Sequence, residues 1–142
     1  MRTSSRFTVA VHILSVIAIA KEVLCTSEFI AASVNTNPVV IRRLIAQLKQ
    51  AGFIGVYPGT GGAYLTKGLE EITLLAVYRA VEKKEQERLF RFHEKPNPHC
   101  PIGANLQEIL EKFLWQAQVA MEEVLENITL ASVIATLQTK IS

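Results

Sequence analysis

Between Thr26 and Gly68 the sequence TSEFIAASVNTNPVVIRRLIAQLKQAGFIGVYPGTGGAYLTKG changes its periodicity twice, and few folds satisfy both changes. Ser27 is placed to cap a first helix with Glu28 just inside it, and Phe29, Ile30, Ala32 and Val34 give that helix an apolar side. Asn37 then stands immediately before Pro38, the order expected of a cap followed by the first helical residue. Beyond it, Ile41, Leu44, Ile45 and Leu48 recur at spacings of three and four, which predicts one buried face. Arg42, Arg43, Gln47 and Lys49 are thereby turned toward solvent or a phosphate backbone. Gly52 stops this second helix. Two short β-prone runs flank Pro58-Gly59-Thr60-Gly61-Gly62, a turn that glycine-rich sequence makes easily. The order helix, turn, helix, glycine-tipped hairpin predicts a mainly α fold with a small β-hairpin: a winged helix-turn-helix.

Charge is divided along the chain in a way that suits this reading. The net charge of +2 is uninformative by itself. Residues 1–68, however, carry Arg2, Arg6, Lys21, Arg42, Arg43, Lys49 and Lys67 against only Glu22 and Glu28, a net of +5, and the remainder carries −3. A basic half beside an acidic one fits a phosphate-binding module with a separate partner surface. With 142 residues, 49% of them hydrophobic, the chain has enough apolar mass for one real core. The expected organisation is a winged helix-turn-helix over 1–82, a loop over 83–103, and a helical dimerisation region over 104–142.

The N-terminal stretch resembles a secretion signal at first sight, with Arg2 and Arg6 before an apolar run ending in Ala18-Ile19-Ala20. Ser5, Thr8, His12 and Ser15 nevertheless fall at helical spacing and form one narrow polar stripe, which a core helix needs and a signal does not. The run is also too short to span a bilayer. Two cysteines fit a reduced setting. The expectation is a cytoplasmic protein with no membrane partner.

After the hairpin, Glu70 to Glu82 reads as a helix with Ile72, Leu75, Ala76, Tyr78 and Val81 on one side. The loop from Lys83 to Gly103 holds three of the five prolines and two of the three histidines. A long helix follows, from Ala104 to Glu126, about 35 Å at 1.5 Å per residue. Its apolar stripe includes Leu106, Leu110, Phe113, Ala117, Met121 and Val124, and Trp115 and Val119 broaden it. Such a stripe suits either an intrachain core or pairing with the same helix of a second copy, and its width and length favour the pair. Asn127 ends this helix, and Thr129 caps a last one over Leu130 to Leu137.

Several of these segments resemble the Rrf-two family of bacterial winged-helix transcription regulators. Gly52-Phe53-Ile54 with Gly59-Thr60-Gly61-Gly62-Ala63-Tyr64-Leu65 is similar to that family's wing signature. Glu71 to Glu82 (EITLLAVYRAVE) resembles the helix that follows its wing, and His99-Cys100-Pro101-Ile102-Gly103 resembles the end of the loop before its dimerisation helix. The resemblance covers nearly the whole chain and implies a homodimer that binds operator DNA. There are two departures. Cluster-binding members carry three cysteines in that loop, whereas Lys83 to Gly103 contains only Cys100, and Cys25 lies far away. In the wing, Tyr57 stands where the family often has arginine.

The candidate DNA contacts are Ser27, Asn37, Val39, Val40, Arg42, Arg43 and Lys49, with Tyr57, Thr60, Gly61 and Gly62 in the wing. Arginine suits guanine edges or phosphate, the valines suit thymine methyl groups, and the wing tip offers backbone N–H groups. No metal or other cofactor is expected. An iron–sulfur cluster draws mostly on thiolates, and His93, His99 and Cys100 match no standard zinc or copper spacing. Cys100 is open to two readings: an inert thiol, or one made reactive by His99 and Lys95 and able to oxidise, alone or with Cys25. No nucleophile, base and carboxylate form a catalytic set, and Gly59 to Gly62 lacks the form of a phosphate-binding loop, so no enzyme is expected. The leading expectation is a homodimeric repressor of double-stranded operator DNA, responsive to thiol oxidation, a small ligand or a partner protein. The alternative is a ligand- or protein-interaction module of the same fold that has lost operator binding.

Overall fold

The computed structural model describes residues 5–82, 90 and 92–141. Helix α1 (Arg6–Ile19) runs through the centre of the core. Ala10, Ile13 and Leu14 have no exposed surface, and Ile17 and Ala18 almost none. The expected polar stripe is divided. Thr8 is exposed, whereas Ser15 is buried and its hydroxyl donates to Val11 O at 2.7 Å, satisfied within its own helix. His12 Nε2 and Ser33 Oγ lie 2.9 Å apart and tie α1 to the next helix. Among the described residues, no helix is long and apolar enough to cross a membrane.

Helix α2 (Ser27–Val34) begins differently from the sequence expectation. Thr26, not Ser27, is the cap: its backbone is extended and its Oγ1 accepts from Phe29 N at 3.1 Å. Ser27 is the first helical residue. The inward side is Ile30 and Ala31 with Val34 half-buried, while Phe29 and Ala32 face outward. At 3.6 residues per turn, positions 30, 31 and 34 share one arc and positions 29 and 32 flank it. The turn runs through Asn35 in the left-handed region (φ 64°), where asparagine is tolerated better than most residues.

Helix α3 (Pro38–Gln50) starts as the sequence predicts: Asn37 Oδ1 accepts from Val39 N at 2.8 Å, and Pro38 opens the helix. Ile41, Leu44, Ile45 and Leu48 are all buried against α1 and α2. Gly52, at φ +86°, ends the helix and turns the chain into strand β1 (Ile54–Val56). It pairs antiparallel with β2 (Ala63–Leu65) in the register Ile54↔Leu65, Val56↔Ala63.

The predicted helix over 70–82 is shorter. Leu69–Glu71 forms one 3₁₀ turn, with Glu71 Oε2 accepting from Gly68 N at 3.0 Å. Thr73 then caps helix α4 (Leu74–Val81) by accepting from Ala76 N at 3.1 Å. The residues between are extended because their backbone is used elsewhere. Leu130 N donates to Ile72 O at 2.7 Å, and Leu74 N donates to Ile128 O at 2.9 Å.

Helix α5 (Pro101–Glu126) begins three residues before the expected Ala104, since a proline at the first helical position needs no donor. It is about 39 Å long at 1.5 Å per residue. Helix α6 (Leu130–Ile141) continues past the expected Leu137. Although the sequence reading grouped it with α5, α6 inserts Leu130 and Ile134 into the core built by α1 to α4. Eight residues of the predicted loop, 83–89 and 91, lie outside the described residues.

Candidate nucleic-acid interface

The burial of one α3 face leaves the other free along its whole length. Val39 and Val40 are exposed at the first turn, Arg42 and Arg43 at the second and Lys49 at the last. Asn37 is exposed, and its Oδ1 is engaged in capping, which leaves its amide nitrogen the freer group for a ligand. Ser27 lies at the N-terminus of α2, half-buried. Arg42 is not a free cation: its Nη2 donates to Glu28 Oε1 at 2.9 Å. This pair is not legible in the sequence, because its partners lie fourteen residues apart on different helices. Arg43 and Lys49 have no ion pair among the described residues.

The wing lies against the helix-turn-helix through Ala63 N, which donates to Cys25 O at 2.9 Å. One face of the hairpin is aromatic. Tyr57 and Tyr64 pack with ring centroids 4.4 Å apart, and Tyr64 lies across Gly55, where an added Cβ would fall 2.5 Å from Cζ of the ring. At Gly62 an added Cβ would meet Leu24 Cδ1. These glycines serve as floors for the side chains above them. Two of the tip amides expected to reach DNA are used within the turn. Gly61 N donates to Tyr57 O at 3.3 Å and Gly62 N to Thr60 Oγ1 at 3.4 Å, both closing the turn. Tyr57, Pro58 and Thr60 are exposed at the tip, and Tyr64 is exposed beside them.

Cys25 and Cys100 are both free thiols in very different settings. Cys25 is buried behind the wing, its thiol donating to Ala20 O and Val23 O at 3.6 Å, and burial pushes its pKa up. It is not available for a disulfide unless the core opens. Cys100 is the cap residue of α5 and partly exposed. The backbone N–H of Gly103, then that of Ile102, hold its pKa below the usual thiol range. In the reactive one of the two readings open in the sequence, His99 and Lys95 lower this pKa; the backbone of the first helical turn does so instead. The loop seats tightly here, since a Cβ on Gly103 would stand 2.5 Å from Asn97 O. Beside it lies a half-open, mostly apolar cavity of about 440 Å³, with Phe92, Pro96, Cys100, Ile102, Leu106 and Leu110 in its wall.

Helix α5 buries none of its residues. Leu106, Leu110, Phe113, Ala117 and Val124 of the expected seam are exposed, Phe113 and Val124 by 62% and 59%, and Met121 is half-buried. Ile102 and Ile109 extend the same apolar surface, while Trp115 is exposed on the other side of the helix. Arg79 Nη2 to Glu122 Oε1, 3.5 Å, fastens α5 to α4.

A family model described as Rrf2, iron-dependent transcriptional regulator, matches residues 3–136. The chain belongs to the Rrf2 family. It is 48% identical over 130 residues to YwnA of Bacillus subtilis (strain 168), whose name describes an HTH-type transcriptional regulator; the match covers 92% of this chain and 95% of YwnA. Among solved structures, it is similar to one of a protein described as DNA-binding, at 42% identity and a TM-score of 0.74, over 92% of this chain and 99% of that one. The fold also matches T. potens IscR, at 20% identity and a TM-score of 0.71, over 96% and 88% of the two chains. The winged-helix architecture with a long C-terminal helix is therefore that of the Rrf2 regulators, and the chain is a transcription regulator of that family.

The iron in the family description does not fit the donors of this Rrf2 chain. Its two cysteines lie in different elements, and Cys100 faces backbone N–H groups rather than other ligands. Among the described residues, no three His, Cys, Asp or Glu side chains gather where a metal ion would bind.

Proposed function

We propose that this chain is a homodimeric repressor that reads a two-part operator with α3 and the wing. The observation that carries the reading is the division of labour between two exposed surfaces. The outward face of α3 is basic with two valines, suited to phosphate oxygens, base edges and thymine methyl groups. The outward face of α5 is apolar, and a patch of that size on a free monomer is unusual. A second copy of α5 is its natural cover, since a two-fold pairing sets two identical surfaces against each other. Pairing also sets two α3 helices at a fixed separation, as operator half-sites require.

Repression follows most simply from occupancy, with the dimer covering promoter DNA. Cys100 gives the regulator a signal input. Peroxide would convert its thiolate to sulfenic acid beside Asn97 and Gly103, at the start of the dimer helix, and so alter the spacing of the two recognition helices. Cys25 takes no part while it stays buried.

The test is selection of genomic fragments by the purified protein, with its mass in solution measured by light scattering. A dimer that enriches a common two-fold symmetric sequence is the expected result. A dimer that enriches nothing would instead support the reading of a winged-helix interaction module without an operator.

A further inference from the structure

The Glu28–Arg42 pair joins the first turn of α2 to the outward face of α3. Both side chains are more than half exposed, at 66% and 55%, so the bond contributes little to folding. Its effects are on charge and direction. Glu28 stands in the first turn of α2, where the helix N-terminus favours a carboxylate. A backbone N–H and then Arg42 hold its pKa below the usual carboxylate range, so it is ionised at neutral pH. Arg43 and Lys49 have no carboxylate partner of this kind among the described residues. Of these three α3 cations, only Arg42 is held in one direction, with most of its N–H donors still free.

We infer that Glu28 is a positioning residue for base recognition: it holds the Arg42 guanidinium toward a base edge and lowers its attraction to phosphate. This rests on the reading above that α3 enters the major groove. A flexible arginine on a recognition helix binds any backbone it meets, which raises affinity for all DNA alike. An arginine held by one N–H on a neighbouring carboxylate offers its remaining donors in a fixed fork, the geometry that guanine O6 and N7 accept. Glu28 thus gives up general affinity for discrimination.

The experiment uses duplexes selected from a randomised pool by the wild-type protein, their single-base-pair variants, and one unrelated duplex. Affinities are measured by fluorescence anisotropy for wild type, Glu28→Gln, Glu28→Asp, Arg42→Ala and the double variant Glu28→Gln/Arg42→Ala. Glu28→Gln should bind the unrelated duplex several-fold tighter, with a log–log salt slope steeper by about one. At one base pair per half-site its discrimination should fall by roughly fivefold or more, the low end of what one bidentate contact supplies. Glu28→Asp should recover much of that discrimination. In the Arg42→Ala background, Glu28→Gln should leave the base ranking unchanged. Wild-type discrimination in Glu28→Gln at every position would overturn the inference. So would an equal loss with and without Arg42, which would mean that Glu28 reads a base itself. If the wild type selects no sequence, the operator reading falls and this inference with it; if it selects one and Glu28→Gln is silent, only this inference falls.

Discussion

Thr73 and Thr129 lie side by side as an antiparallel bridge, although they are fifty-six residues apart. The bridge fixes the segment that closes the wing domain against the start of α6, and Leu130 is carried into the core with no exposed surface. The winged helix-turn-helix is therefore completed by residues from beyond α5.

This gives the first prediction. Leu130→Ala should cost about 2–5 kcal/mol, as a large-to-small change in a packed core does, even though the residue lies outside 1–82. Chemical denaturation monitored by circular dichroism would check it. A cost of a few tenths of a kcal/mol would mean that α6 is not part of the folding unit.

The second prediction concerns α5. Leu110→Asp with Phe113→Asp should give a folded monomer, because both residues are exposed in the single chain. In a dimer seam the same charges would be buried without partners, at a cost of several kcal/mol. Light scattering gives the mass, and circular dichroism confirms the helices. A double variant that stays dimeric would exclude this seam.

The parts of this architecture that were legible in the sequence are those governed by neighbours in the chain. Asn37-Pro38 and the 41, 44, 45, 48 spacing placed α3 correctly, because a cap and a helical stripe are local signals. The glycines of 59–62 likewise marked the hairpin. What was missed depends on contacts at a distance. The cap of α2 lies at Thr26, and the start of α4 waits until Leu74 because Ile72 is engaged by Leu130. The Glu28–Arg42 pair and the Tyr64 ring over Gly55 are likewise set by tertiary packing. At the candidate DNA surface, sequence identified the exposed residues of α3 but not which of them already had partners.

A third prediction separates two kinds of DNA contact. Lys49 stands at the end of α3 without an ion pair among the described residues, and Lys49→Ala should weaken binding to all duplexes alike, flattening the salt slope by about one. Arg42→Ala should instead relax preference at one position by about 1–3 kcal/mol. Identical effects of the two variants on specific and unrelated duplexes would remove that distinction.

The fourth prediction follows from the two thiols. Cys100 has a depressed pKa and partial exposure, so its thiolate forms at lower pH; Cys25 is buried with a raised pKa and stays protonated. In native protein, iodoacetamide should modify Cys100 first, at a rate that levels off at a lower pH than for an ordinary thiol. Gly103→Ala should push Asn97 away and disturb the first turn of α5, moving that pH upward. Mass spectrometry after timed alkylation reads both effects. Faster labelling of Cys25 would contradict the assignment.

In the proposed dimer, two copies joined through α5 present two α3 helices to one operator. The most direct test is a stoichiometric titration of a labelled, two-fold symmetric duplex recovered by genomic selection, repeated across salt concentrations. Saturation is expected at two protomers per duplex, with a log–log salt slope of about −5, as for six phosphate contacts. Binding of the same strength to an unrelated duplex, or saturation at one protomer, would contradict it.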